Sequence, residues 1–266
     1  MPEIIRVGPA GIPISAKGRG IVEGIKKAAE LGLSALEVQF GHGVNMGLDL
    51  AKKAGAAAKE NDILLSVHAP YFINLNSEKK GVIDESKRRL LQSVAVAEAA
   101  GAYVVVFHAG FYSDDRSGDA TDAIKENLLD VREKTPADIF LGVETMGRAN
   151  TWGTLEEIGK VCGKGVVPVL DFAHIHARGR RLDSREKVKE LFDEYESIFT
   201  GFLHSHFTGI AYGELGEKNH LPVSGAEPDF NIIAPFLMSR KYRCTVICES
   251  PLLDIDALKL KGMLGL

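Results

Sequence analysis

Eight times along this chain a short β-branched apolar run is followed by a stretch of helical periodicity, and few folds accommodate that alternation. The apolar runs are Ile4 to Gly8, Ala35 to Phe40, Leu64 to Val67, Tyr103 to Phe107, Ile139 to Val143, Val166 to Leu170, Gly201 to Ser205 and Thr245 to Cys248. The helical segments between them are Ile21 to Leu31, Met46 to Glu60, Ser77 to Ala100, Thr121 to Lys134, Thr154 to Cys162, Ser184 to Ile198, Asp229 to Arg240 and Leu252 to Leu264. Gly101 is placed to end the third of these as a C-terminal glycine. Thr154 followed by Glu156 and Glu157 puts acids in a first turn, where the helix dipole favours them. Ser184 has Lys187 three residues on and makes no capping box. Strict alternation implies parallel strands joined by right-handed crossovers. Eight units with no change of pattern predict an α/β chain closed as a (β/α)8 (TIM) barrel rather than an open doubly wound sheet. No G-x-G-x-x-G follows the first run and no G-x-x-x-x-G-K-[ST] occurs, which argues against a dinucleotide or P-loop protein. No linker or low-complexity block divides the 266 residues, and about 250 is the usual size of one such barrel. A single domain spanning 1–266 is therefore expected.

In a barrel the C-terminal ends of all strands open into one mouth, whatever their distance in sequence. Here those ends carry metal-ligating side chains. The third run stops on His68, the fourth on His108, the fifth on Glu144, and the sixth on Asp171 with His174 three residues later. The seventh offers His204 or His206, the loop after it Glu217 and His220, and the eighth Glu249. Of the eight histidines in the chain, all but His42 and His176 fall in this set. Taken singly, each is a hydrogen-bonded barrel residue. Recurring on six consecutive strands, they predict a metal site, because buried carboxylates and imidazoles are costly unless something pairs them. One ion takes four to six donors, so eight or nine donors point to two or three ions, and the His/carboxylate mixture suits Zn²⁺ or Mn²⁺. The three cysteines, Cys162, Cys244 and Cys248, are too few for a disulfide framework. Cys244 and Cys248 read as small core residues of a strand.

A net charge of −4 argues against a generally basic, DNA-coating surface, although a local basic rim would not show in the total. No apolar run approaches about 18 residues and no leader pattern opens the chain. The expectation is a soluble cytoplasmic protein with no membrane partner, and a monomer.

The segments SVHAPYFINL, VVFHAG, GVET with its following glycine, LDFAHIHARG, HFTG and ICES, in that order, resemble the endonuclease IV family of abasic-site endonucleases. The likeness runs from about Ile4 to Pro251. It implies a (β/α)8 barrel holding three zinc ions and a duplex DNA partner containing abasic sites. His68 and His108 would hold one zinc, bridged by Glu144 to a second that Asp171, His206 and Glu249 complete. His174, His220 and a nearby acid would hold a third. His206 is preferred to His204 because HFTG fits the family's pattern better, and His204, two residues away on the same face, would line a deeper layer. The family has an aspartate two residues before its third-site histidine. This chain has Lys218 there, so Glu217 must substitute with a loop shift, or the third site is weakened. The family also pushes an arginine from its second loop into DNA, where this chain reads FGHGVNM. Tyr71 and Phe72 stand at the distance of the family's other DNA-penetrating pair, with packing under a loop as the alternative.

The implied reaction is hydrolysis of the phosphodiester 5′ to an abasic site, with two ions clamping an in-line displacement. Glu144 and Glu249 would be the catalytic carboxylates. Tyr71 and Phe72 would wedge the base stack, while Arg148 and Arg178, with Arg180 and Arg181, would grip phosphates. Two other readings stay open. Sugar isomerases and epimerases resembling xylose isomerase use one Mn²⁺ or Mg²⁺ held by Glu, Asp, His and Glu, which Glu144, Asp171, His206 and Glu249 satisfy equally. Such an enzyme has no need of both His68 and His108 as ligands. A barrel that binds metal or nucleic acid without catalysis is the third reading.

Overall fold

The computed structural model describes residues 5–16, 18–112 and 120–266; Ile4, expected to open the first strand, lies outside them. In chain order the strands are β1 (Ile5–Pro9), β2 (Ala35–Gln39), β3 (Leu64–His68), β4 (Val104–Phe107), β5 (Phe140–Glu144), β6 (Val166–Asp171), β7 (Leu203–Phe207), β8 (Gly209–Gly213), β9 (Gly216–Leu221) and β10 (Cys244–Cys248). The helices are α1 (Ile21–Glu30), α2 (Leu48–Glu60), α3 (Lys80–Ala100), α4 (Ala120–Arg132), α5 (Leu155–Gly159), α6 (Phe172–Ala177), α7 (Arg185–Ile198), α8 (Phe230–Met238) and α9 (Asp254–Met263). Eight strands form one sheet in the order β1-β10-β7-β6-β5-β4-β3-β2, all neighbours parallel. This is the predicted (β/α)8 barrel.

The seam between β1 and β2 closes the ring with few bonds. Ser34 N donates to Val7 O at 3.0 Å, and Ala10 bridges Glu37. Gly8 makes that approach possible, since a Cβ there would lie 1.8 Å from the carbonyl oxygen of Ala35. Inside the barrel, the two-residue side-chain period of a strand sorts residues into layers. Val104, Val106, Val167, Val169 and Phe202 form an apolar floor, against which Tyr103, Phe140 and Phe199 pack. Continuing the same inward rows toward the strand ends reaches His108, Asp171, His204 and His206, so hydrophobic packing below sets the position of polar groups above.

The helices cover the outside. The burial of Ile21, Gly24, Ile25 and Ala28 on α1, and of Ala51, Ala54, Ala57 and Ala58 on α2, follows helical spacing. Gly101 adopts φ 66° and caps α3 as expected. Thr154 does more than its sequence signal required. Its Oγ1 accepts from Glu157 N at 3.2 Å while Glu157 Oε2 accepts from Thr154 N at 2.9 Å, a complete capping box. Ser184 caps α7 through Lys187 N without the reciprocal bond. No helix among the described residues is long and apolar enough to cross a membrane. Cys244 and Cys248 are buried and free.

Two features depart from simple alternation. The segment after β7 is a hairpin, β8–β9, and α6 is a one-and-a-half-turn helix directly after β6. Strand β7 also runs two residues later than expected, ending on Phe207 rather than Ser205, which brings both His204 and His206 inside the strand.

Candidate metal centre

Glu144 is the hub. It ends β5, is buried, and has imidazoles on both sides of its carboxylate. His68 Nε2 and His108 Nε2 each donate to its Oε2 at 3.0 Å. On the other side, Oε1 lies 3.1 Å from His206 Nδ1 and 3.4 Å from His174 Nδ1. Glu249 Oε1 is 3.5 Å from His206 Nδ1, and Asp171 Oδ2 is 3.4 Å from His174 Nδ1. Ligand atoms of Glu144, Asp171, His206 and Glu249 all lie within 4.8 Å of one another, as do those of His68, Glu144 and His206, and those of Asp171, His174 and His220. Six strands thus bring residues from 68 to 249 to one place.

Glu217 joins them through a backbone irregularity. Residues three apart on a regular strand face opposite ways, which would separate Glu217 from His220. In the hairpin, Ile210 pairs with His220 and Ala211 with Asn219, but Tyr212 pairs with Glu217. Lys218 is the extra residue of this bulge, and skipping it puts Glu217 and His220 on one face. Glu217 Oε2 then lies 3.4 Å from His174 Nε2, and Oε1 is 4.0 Å from His220 Nε2. Gly147 makes room, because a Cβ there would stand 2.8 Å from Glu217 Cβ.

The charge balance calls for cations. Burial pushes the Asp171 carboxyl up, with Glu144 and Glu249 adding to it against the pull of His174, to about 6. Asp171 Oδ1 caps α6 by accepting from His174 N at 2.7 Å, while Oδ2 is buried with no hydrogen-bond partner among the described residues. Burial opposes charge on Glu144 too, but His206 and His108 hold it well below the usual carboxylate range. Burial would likewise deprotonate His68, yet the hydrogen bond and charge of Glu144 raise it to about 9. His174 and His206 are raised in the same way by facing carboxylates.

The rear nitrogens fit the same picture. His68 Nδ1 bonds Ala69 O at 2.8 Å, His174 Nδ1 bonds Thr145 O at 3.0 Å, and His220 Nδ1 bonds Glu249 O at 3.2 Å. A histidine anchored by one nitrogen presents the other to a ligand site, as metal-binding imidazoles do. The donor set, the orphaned Asp171 oxygen and the imidazole orientation therefore fit divalent cations; among the residues present, nothing identifies which metal.

Protons and metal compete for these imidazoles, which sets a pH dependence. The raised His68 stabilises the metal-free fold most below its unfolded pKa near 6.5, and that contribution fades as pH climbs through about 9; His174 and His206, raised in the same direction, act with the same sign. Zinc uptake at pH 7 should release protons, and apparent affinity should rise between about pH 6 and 9. Titration calorimetry in buffers of different ionisation enthalpy checks this; proton-neutral binding would contradict it.

A cavity of about 420 Å³ opens over the cluster, lined by His68, Tyr71, His108, His174, Glu217 and Glu249 among others. Tyr71, which lines it, and Phe72 are each 55% exposed, so neither packs beneath a loop. Phe72 stacks on His42 of the second loop, ring centroids 5.8 Å apart. Arg148 is exposed and lines the cavity. Arg178 departs from its expected role as a phosphate grip: Nη1 donates to Thr151 O at 2.7 Å and Nη2 to Tyr112 OH at 3.1 Å, so the guanidinium ties loops together. Arg180 pairs with Glu194. His206, not His204, faces the cluster. His204 lies one layer deeper, with Nε2 2.9 Å from Glu37 Oε2. Glu37 and Phe111 were not anticipated. Glu37 sits mid-strand rather than at a strand end, and its only signal was an acid inside the apolar run ALEVQF.

Comparison with known proteins bears on this geometry. Residues 25–259 match the family model described as xylose isomerase-like TIM barrel. An uncharacterized protein of Methanocaldococcus jannaschii is 33% identical over 263 residues, 95% of this chain and 94% of that one. A probable endonuclease 4 of Malacoplasma penetrans is 29% identical over 147 residues, 52% of this chain and 51% of that one. Among solved structures, a D-tagatose 3-epimerase-like protein superimposes with TM-score 0.74 at 20% identity, covering 92% of this chain and 93% of the other. Endonuclease IV from Thermus thermophilus superimposes with TM-score 0.73 at 19% identity, covering 94% of this chain and 96% of the other. At such identities the likeness is one of fold, and it is shared by nucleases and sugar epimerases alike. With most of its length matched and eight parallel strands around one polar mouth, this chain belongs to the xylose isomerase-like TIM barrel family.

Proposed function

We propose that the chain is a metal-dependent phosphodiester hydrolase that nicks duplex DNA on the 5′ side of abasic sites. The observation that carries this reading is the two-sided Glu144, with His68 and His108 at 3.0 Å from one oxygen and His206 Nδ1 at 3.1 Å from the other. A carboxylate flanked in this way would help hold an ion on each side, and a mononuclear site has no use for the first pair. When bound, divalent cations of this kind lower the pKa of water toward neutrality and offset charge on a phosphate. The chain's own residues do the rest. Glu249, its side chain 13% exposed and one oxygen 3.9 Å from His220 Nδ1, reaches the mouth and would orient the attacking water and accept its proton. Tyr71 and Phe72 would enter the stack beside a nucleotide that has no base to hold it in place. Arg148 would meet a flanking phosphate.

Metal analysis of protein purified without chelator should give two to three zinc per chain, and a duplex with one abasic site should be nicked 5′ to the lesion. Intact duplex after prolonged incubation with zinc-loaded protein would count against the reading. Replacing Tyr71 and Phe72 together by Ala should weaken binding to that duplex by about 10-fold or more, at about 1–3 kcal/mol per stacking aromatic, while leaving metal content unchanged. Equal binding by gel shift would assign both rings another role.

The epimerase reading is favoured by one observation, the compact quartet of Glu144, Asp171, His206 and Glu249. In that case two glutamates would move a proton beside a sugar carbonyl. A single exchangeable Mn²⁺ per chain, with no nicking, would transfer the assignment.

A further inference from the structure

We propose that Glu37 is a positioning residue for the metal centre: it occupies the rear nitrogen of His206, so that Nδ1 is the nitrogen turned toward Glu144 and Glu249, where an ion would be held. This rests on the metal-dependent reading above and deepens it. His68, His174 and His220 are oriented by main-chain carbonyls, which carry no net charge. His206 instead has a carboxylate at the nitrogen turned away from Glu144 and Glu249, with Nε2 3.0 Å from Glu37 Oε1. The contact is off the line of a hydrogen bond, and Nε2 has no hydrogen-bond partner among the described residues. Glu37 is therefore what that nitrogen has.

Glu37 is itself held from several sides. It is 0% exposed on β2. Gln39 Nε2 donates to Oε1 at 3.0 Å, Ser66 Oγ to Oε2 at 2.8 Å, and His204 Nε2 to Oε2 at 2.9 Å. His204 Nδ1 lies in turn 2.6 Å from Tyr103 OH, which stands 3.1 Å from Thr245 Oγ1. A chain of contacts thus runs from the apolar floor through Tyr103, His204 and Glu37 to His206. The negative charge it places beside Nε2 favours the proton on that nitrogen and raises the basicity of Nδ1. Carboxylate–histidine–metal arrangements act in this way, and their removal typically lowers metal affinity about 10–100-fold.

The test measures zinc affinity of the full chain by competition with a chromogenic chelator, for wild type, E37Q and Y103F. Visible absorption of the Co²⁺-substituted proteins provides a second readout. E37Q keeps the size of the side chain and removes its charge, and Y103F cuts the far end of the chain without touching a ligand. The expected result for E37Q is unchanged stoichiometry, a fall in affinity within about 10–100-fold, and shifted Co²⁺ bands. Y103F should give a smaller fall in the same direction, which decides the matter should E37Q fail to fold. Wild-type affinity and spectrum in both variants would overturn the proposal while leaving the metal centre standing. Loss of one zinc equivalent in E37Q, with the other ions held as tightly as before, would make Glu37 a ligand in its own right and also overturn it. A wild-type chain that takes up no zinc would instead defeat the functional reading on which this one rests.

Discussion

Glu144→Gln should lower nicking of an abasic-site duplex on the order of 10³-fold or more, the upper range for losing a single catalytic group. The reason lies in how many partners the carboxylate serves. Its two oxygens face four imidazole nitrogens between 3.0 and 3.4 Å. An amide can keep an acceptor toward only one side and turns an N–H₂ donor to the other, where either His68 and His108 or His206 await an acceptor or an ion. At least one zinc equivalent should therefore be lost with the activity. Nicking rates on a defined duplex, paired with metal analysis of the same preparation and a far-UV spectrum to verify folding, check both halves. A variant with native metal content and native rate would remove Glu144 from the centre of the mechanism. A variant that loses metal yet remains folded is the expected case, because the barrel floor and outer core do not involve this residue.

The second large effect concerns stability. Gly8→Ala should destabilise the fold by about 3 kcal/mol or more, the top of the usual range for overpacking. The added Cβ would sit 1.8 Å from the carbonyl oxygen and 2.2 Å from the carbonyl carbon of Ala35. Both are backbone atoms of the neighbouring strand, which has no rotamer to change. The strands must move apart at the seam, where the Ser34–Val7 bond and the Ala10–Glu37 bridge hold the ring together. For a chain of this length that energy corresponds to a drop in Tm of roughly 6–12 °C. Gly81→Ala serves as the control. Gly81 lies within α3, and a Cβ there meets nothing within 4 Å, so the substitution should stabilise by about 0.4–1 kcal/mol. Thermal unfolding of the two variants beside the parent measures the contrast. Equal melting of Gly8→Ala would show that the barrel closes some other way. Glu37 lies on the same strand as Ala35, so a disturbed seam should also loosen the contact behind His206.

Much of this architecture was legible because it rests on local periodicity. The number and order of barrel strands follow from apolar runs whose side chains must alternate or be buried on both faces, and those patterns survive without any knowledge of distant contacts. The hairpin after β7 escaped because its residues, GIAYGELGEKNHL, carry no alternating apolar face; it is held by docking on Gly147 and Arg148. The short α6 escaped for the opposite reason. Six residues are too few to show a period, and a cap from Asp171 defines the helix.

The same division applies to the site. Residue type and position at strand ends were enough to collect His68, His108, Glu144, Asp171, His174, His206, Glu217, His220 and Glu249 as candidates, because a parallel barrel sends every strand end to one mouth. What chain order left open was which atoms meet. The resemblance preferred His206 to His204, and the folded chain brings His206 to Glu144 through a strand that runs two residues further than its apolar run. Only the bulge at Lys218 brought Glu217 round to His174 and His220. Only packing across the barrel placed Glu37, from near the start of the chain, behind a histidine at position 206. Periodicity is a property of neighbours in sequence, whereas a bulge, a register and a contact across a barrel depend on residues that meet after the ring has closed.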